Sequence, residues 1–262
     1  MSLGEIIAGI DEAGRGSVLG PLIIVGLSLE KDKINFLHQK GVKDSKLFTG
    51  LSGRNKRSEL AVEIQQQAKK VKVIEVPSSE IDLALNRRPR DNLNLLELRY
   101  FSKLILELHA KEIFVDTISS PRYSMTQISN LIRLNNELLT FKVITNNNSE
   151  GKFTLGRGGK SSKNILITPK ADSKYTVVAA ASCVAKHIRD LKLREIEQEW
   201  NLPEQILGHG YPNEKDQNLM RFFREYSNQI KQHYFPFIRY QWEWRCLQEI
   251  LSQPMKKLDQ YF

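Results

Sequence analysis

Acidic side chains brought to one place can serve hydrolysis, which needs an activated water, compensation for developing charge, and help for the departing oxygen. Two divalent cations about 4 Å apart supply all three, provided that several carboxylates converge to hold them. Asp11, Glu12, Asp116 and Asp172 are candidates for that work, each at the edge of a predicted strand or at a predicted helix start. The first two lie in IIAGIDEAGRGSVLGPLIIVGLSL, residues 6–29, where two apolar, β-branched runs flank a glycine-rich segment. This pattern reads as strand, functional turn, strand. If the strand runs on through Asp11 and Glu12, their side chains point to opposite faces; a turn beginning at Glu12 brings both toward one cation. Gly14-Arg15-Gly16 then offers backbone N–H groups that no Cβ obstructs, beside a guanidinium suited to phosphate.

Singly, Asp116 reads as readily as a strand-end residue meeting a loop amide, and Asp172 as a helix N-cap. Four gathered carboxylates would repel one another and raise at least one carboxyl pKa, which bound metal relieves. No Cys/His ligand pattern competes, so hard, oxygen-preferring Mg²⁺ or Mn²⁺ is the expected ion. GRGGKSS, residues 156–162, contains the Gly-Lys-Ser of a nucleotide-binding loop, but Thr154 stands where the required earlier glycine belongs. An ATPase reading fails there.

The elements that must position these residues alternate. Lys33–Gln39 predicts a short helix, 41–53 a loop, Arg54–Lys70 a helix and Val71–Val76 a strand. Ser78 or Ser79 is a candidate N-cap for a short helix, interrupted by the Pro-containing 86–90, and Asp91 is a candidate cap for the next. In that next helix Leu95, Leu98, Phe101, Ser102, Ile105 and Leu108 form an apolar stripe. Glu112–Ile118 is a buried strand with Asp116 near its end, followed by a helix over Ser124–Leu138 and a strand over Leu139–Thr145. Residues 146–164 are polar, Gly- and Ser-rich and basic, and predict an exposed loop or flexible hairpin. Asp172 precedes a long helix, Tyr175–Glu199, and two further helices are expected at Lys215–Lys231 and Tyr240–Leu251. The pattern is that of an α/β protein.

The 262 residues suffice for one sizeable domain with a small appendage, and 40% hydrophobic with 26% charged residues is a globular balance. A formal charge of +9 and a pI near 9.4 fit a polyanionic partner. Cys183 and Cys246 sit in apolar surroundings, so a reducing compartment is expected rather than a disulfide framework. The opening residues lack a signal-peptide pattern and no apolar run has membrane-spanning length, so the expectation is a soluble, cytoplasmic monomer.

GIDEAGRG, then KDSK (43–46), VD (115–116), KADSKY (170–175), AASCVAKHIRD (180–190) and GHGYP (208–212), in unbroken order over roughly 6–215, resemble ribonuclease HII, particularly its archaeal branch. The resemblance implies a ribonuclease H-like mixed sheet flanked by helices, with a small helical C-terminal part: residues 1–200, 201–252, and a tail at 253–262. It maps Asp11, Glu12, Asp116 and Asp172 onto the family's metal-binding carboxylates. Gly14, Arg15, Gly16 and Tyr211 match the groups that grip the ribonucleotide and stack on the next sugar, where the 2′-hydroxyl is sensed. Lys46 matches a lysine expected to touch phosphate, and Leu47 stands where bacterial relatives commonly carry a second lysine. Lys186 and Arg189 are compatible with further phosphate contacts or with packing.

The implied activity is hydrolysis of the RNA strand of RNA/DNA hybrids and incision at single ribonucleotides embedded in duplex DNA, leaving 3′-hydroxyl and 5′-phosphate ends. Met255, Leu258, Tyr261 and Phe262 resemble the peptide with which replication proteins enter the sliding clamp, with Met255 in place of the usual Gln. The same sheet also suits a DNA-junction resolvase, and a basic adaptor without turnover is a further alternative. An adaptor, however, has no use for four negative charges facing phosphate.

Overall fold

The structure is a computed structural model that describes residues 5–42, 50–87, 91–135, 138–157 and 160–253. The chain opens with an antiparallel hairpin, β1 (Ile6–Ala13) and β2 (Leu22–Glu30), followed by α1 (Lys33–Gln39), α2 (Gly50–Gln67) and β3 (Lys70–Val76). Next come α3 (Ser78–Asn86), α4 (Leu93–Glu107), β4 (Glu112–Asp116) and α5 (Pro121–Asn135). A meander of β5 (Leu139–Asn146), β6 (Gly151–Arg157) and β7 (Lys160–Thr168) leads into α6 (Ala171–Lys174) and α7 (Thr176–Glu199). The C-terminal part carries α8 (Gln217–Glu225), α9 (Ser227–Lys231) and α10 (Arg245–Ser252).

The strands form one seven-stranded mixed sheet in the order β3-β2-β1-β4-β7-β6-β5. β4 runs parallel to both β1 and β7, and the remaining neighbours are antiparallel. Alternate residues serve the two faces. Ala8, Ile10, Val115 and Phe153 pack with α4 and α5, whereas Ile7, Ala13 and Val25 pack with α2 and α7. Gly9 fixes the approach of α7, since a Cβ there would stand 2.4 Å from the Val177 carbonyl oxygen. A third apolar cluster ties Val18, Leu19 and Leu193 to Phe222, Phe235 and Trp244 of the C-terminal part. It anchors the C-terminal helices against the β1–β2 connection.

Several expectations shift. Of the two expectations for residues 146–164 the exposed loop fails and a hairpin is present: they hold β6 and the start of β7, paired antiparallel, with Phe153 and Leu155 buried under α5. Their many Gly, Ser and Lys residues masked a period-two pattern whose apolar members are only on one face. Gly156 and Arg157 accordingly end a strand that turns back antiparallel to β7, so GRGGKSS has no strand-to-helix loop in which to hold phosphate. α4 is capped by Asn92, whose side chain accepts from Leu95 N, and not by Asp91, which instead binds Arg99 at 3.0 Å. Pro77 precedes α3, while the Ser78 hydroxyl bonds the Gly20 and Phe237 carbonyls. The helix predicted from Arg54 begins at Gly50, and β4 stops at Asp116. Lys215–Lys231 is broken at Tyr226 into α8 and α9, and the last helix starts only at Arg245 because Tyr240 and Gln241 give their N–H groups to Asp82. Among the described residues no helix is long and apolar enough to cross a membrane.

Candidate metal centre and substrate turn

β1 continues through its acidic pair: Asp11 lies opposite Val25 and Glu12 opposite Ile24 in an unbroken ladder. The two side chains therefore leave opposite faces, the first of the two arrangements that the sequence allowed. Asp11 is 4% exposed and faces α7. Ile10 pairs with Val115 in the parallel β1–β4 ladder, so Asp116, the last residue of β4, comes up beside Asp11 on the same face. Asp172 joins them from α6, inside that short helix rather than before it. Oxygens of Asp11, Asp116 and Asp172 all lie within 4.8 Å of one another.

Local bonding sets this meeting. Asp116 Oδ1 accepts from Thr117 N at 2.9 Å and from Ala171 N at 3.1 Å, clamping the end of β4 to the start of α6. Lys170 adopts a left-handed φ of 56° that turns the chain from β7 into α6. Lys174 reaches back to the Thr168 hydroxyl at 2.8 Å.

Burial, followed by the Glu12 charge, holds the Asp11 carboxyl well above the usual carboxylate range, against a hydrogen bond from Ser182. Burial and then the Glu97 charge push Glu12 up to about 7, and Asp116 adds to the shift. Glu12 Oε2 is buried and has no hydrogen-bond partner. An all-carboxylate donor set that is desolvated and holds an orphaned oxygen fits hard divalent cations. Glu12 stands apart from the three aspartates by its face, yet its carboxyl feels both Asp11 and Asp116.

The glycine-rich turn is held from two sides. Gly14, at φ 88°, donates its N–H to the Tyr211 hydroxyl at 3.1 Å, and the Tyr211 ring lies 3.9 Å from where a Gly16 Cβ would stand. Arg15 turns toward α4, where Nε binds Glu97 at 2.9 Å and the guanidinium also meets Asn94. Tyr211 remains 41% exposed, so one ring face is open. Arg189 is buried and serves packing: it donates to the Ser17 hydroxyl at 2.6 Å and to the His209 carbonyl at 2.9 Å, and it lies over the Tyr211 ring. The Gly210 carbonyl accepts from Val18 and Leu19, completing the link between the two glycine segments. Lys46, Met255, Leu258, Tyr261 and Phe262 lie outside the described residues.

Two organising residues escaped the sequence reading. Glu97 is wholly buried under Arg15, and burial pushes its carboxyl up to about 7 despite the pull of Arg15 and Arg239. Its signal was a carboxylate on the apolar stripe Leu93, Glu97, Phe101, Leu104. Arg239, also buried, donates to the Gly20 and Arg15 carbonyls and so fixes both ends of the turn. Its isolation among C-terminal aromatics was the available clue.

A mixed sheet whose two central strands carry acidic residues to a buried cluster beneath a helix defines a ribonuclease H-like nuclease fold. A family model described as Ribonuclease HII matches residues 8–244, and the chain belongs to the ribonuclease HII family. The chain is 32% identical over 233 residues to a ribonuclease HII of Methanococcus maripaludis, covering 87% of this chain and 81% of that one. The crystal structure of ribonuclease H2 from Pyrococcus horikoshii superposes with a TM-score of 0.67 at 28% identity, covering 94% and 96% of the two chains. A similar fold, TM-score 0.67 at 24% identity and covering 92% and 96%, occurs in the PCNA:RNase HII complex from Archaeoglobus fulgidus. The protein is thus an enzyme of a metal-dependent endoribonuclease family that acts on RNA/DNA.

Proposed function

We propose that this chain cleaves the RNA strand of RNA/DNA hybrids and also incises duplex DNA at a single embedded ribonucleotide, leaving 3′-hydroxyl and 5′-phosphate ends. The carrying observation is the convergence of Asp11, Asp116 and Asp172 oxygens within 4.8 Å of one another, from three separate elements. These residues, with Glu12, would hold two divalent ions, Mg²⁺ or Mn²⁺. Bound there, the ions supply an acidified water and offset the charge that builds on the phosphoryl oxygens. The rest falls to the chain itself. The Gly14-Arg15-Gly16 turn, locked by Tyr211, Glu97 and Arg239, presents backbone groups to the ribonucleotide, and the open Tyr211 ring offers a stacking surface for the next sugar. Lys46 would add a phosphate contact.

Residues 1–200 act as the catalytic domain and 201–252 as the support that sets the turn, the two joined through the third apolar cluster. The tail at 253–262 fits a sliding clamp through Met255, Leu258, Tyr261 and Phe262, and the PCNA complex of the Archaeoglobus fulgidus protein supports that partner. The protein is read as a cytoplasmic monomer.

The test offers three matched duplexes, all-DNA, single-ribonucleotide and RNA/DNA hybrid, with Mg²⁺, with Mn²⁺ and with chelator. Cuts at the ribonucleotide and in the hybrid, lost on chelation, are expected; equal cutting of the all-DNA duplex would sink the reading. Removing Met255–Phe262 should leave these cuts intact and weaken association with a sliding clamp.

A further inference from the structure

Beyond β4 the sheet runs on through β7, β6 and β5, and there α5 covers one face. Phe153, Leu155, Ile165 and Ile167 are buried on that side. The alternate residues point to the other face, the one that carries Asp11 and Asp116. They include Asn164 and Leu166 on β7, Lys152 and Thr154 on β6, and Thr140 and Lys142 on β5, and all are half-exposed or exposed. α7 covers this face over β1 and β2 and reaches β4 only at its margin.

The register makes the open face continuous with the aspartate cluster. Asp116 pairs with Thr168, Phe114 with Leu166, and Leu166 in turn with Lys152. Phe114 stacks on Tyr175 at 4.3 Å, at the boundary between the cluster and the open strands. Two cations, Lys142 and Lys152, stand among hydroxyl and amide groups, with the Thr154 hydroxyl donating to Asn164 Oδ1 at 3.1 Å. Two acidic groups flank it: Glu112, on the cross-strand row of Lys142, lies 3.9 Å from Lys31, and Glu150, in the β5–β6 turn next to Gly151, stands at the aspartate end within electrostatic reach of Tyr175. A flat, wettable surface with positive charge that pairs with no other described residue suits a phosphate backbone better than an apolar partner.

The position is also right for a duplex. The Gly14–Gly16 turn and Tyr211 hold the β1–β2 end of the site, whereas β7, β6 and β5 lie on the other side of β4. At about 4.8 Å per strand, β5 stands about 14 Å beyond β4, the axial length of roughly four nucleotides. We propose that this open face binds backbone phosphates of the duplex arm on the far side of the cleaved bond from Tyr211, through Lys142 and Lys152. The inference rests on the hybrid-cleaving function proposed above.

The test uses the full chain and single-ribonucleotide duplexes shortened on one side or the other of the ribonucleotide, to about two base pairs instead of about twelve. Wild type should lose affinity when the arm over β5–β7 is cut back. In Lys142→Glu/Lys152→Glu the advantage of that long arm should fall about tenfold, and the slope of log affinity against log salt should flatten by about two. Lys103→Glu, exposed on α4, controls for a charge reversal away from this face, and Lys142→Gln/Lys152→Gln replaces the double reversal should its thermal melt show misfolding. An unchanged arm preference and salt slope, or an equal loss from Lys103→Glu, would overturn the inference. Wild type that fails to cut any ribonucleotide duplex would instead overturn the function on which it rests.

Discussion

Asp11 and Glu12 are neighbours on one strand, yet they end in different company. Asp11 meets Asp116 and Asp172 beneath α7. Glu12 leaves the opposite face, toward α4, where the buried Glu97 holds Arg15. One side gathers carboxylate oxygens from distant parts of the chain; the other pairs a carboxylate with the guanidinium of the glycine-rich turn. A one-residue step in a pleated strand thus sends two neighbouring carboxylates to opposite faces, while they stay within electrostatic reach of each other.

Breaking the Asp11 side should have the largest effect. Asp116→Asn keeps the bonds to Thr117 N and Ala171 N through its remaining oxygen but removes a charge from the cluster. Turnover should drop by about 10³-fold or more, with hybrid binding still measurable in a gel or anisotropy assay. Unchanged turnover would remove Asp116 from the mechanism.

Next comes a test of how far the two sides share one field. In the metal-free folded state Glu12 and Glu97 hold protons up to about 7, whereas their ordinary value is 4.5. Between those limits the unfolded chain has released protons that the folded chain keeps, so stability falls as pH rises. The loss should be about 1–3 kcal/mol, read as a falling Tm between roughly pH 4.5 and 7. Added Mg²⁺ or Mn²⁺ should reduce that fall, because cations favour the ionised carboxylates. A Tm that stays flat without metal would show that the folded carboxyls titrate normally.

The smallest effect is expected on the Glu12 side. Glu97→Gln keeps the shape but weakens the charge-assisted bond to Arg15. KM for a single-ribonucleotide duplex should rise about tenfold while kcat changes less, the outcome expected of the proposed role of the turn in substrate binding. An equal loss in kcat would merge the two sides into one functional unit.

The alternation of elements, the opening hairpin and the long α7 were legible because their apolar periods are strong and their boundaries carry glycine or polar residues. β6 and the start of β7 were legible only as one of two alternatives, a loop or a hairpin. Half of their residues face the open side of the sheet, so Lys152, Thr154 and Asn164 gave a polar stretch the look of a loop. Glu97 was hidden for the converse reason: a buried carboxylate inside a leucine-rich stripe looks like a surface residue until Arg15 is seen against it.

Residue types and their order along the chain determined which groups can do the chemistry: an acidic pair after a β-branched run, a glycine-flanked arginine, and two later aspartates at element ends. Only the tertiary structure decided that Asp11 and Glu12 part to opposite faces, that Arg15 is anchored by Glu97, and that β5–β7 have one face uncovered among the described residues. Strand pairing and helix packing fix those choices through contacts between residues far apart in sequence, and no local pattern of side chains specifies which distant partner will arrive.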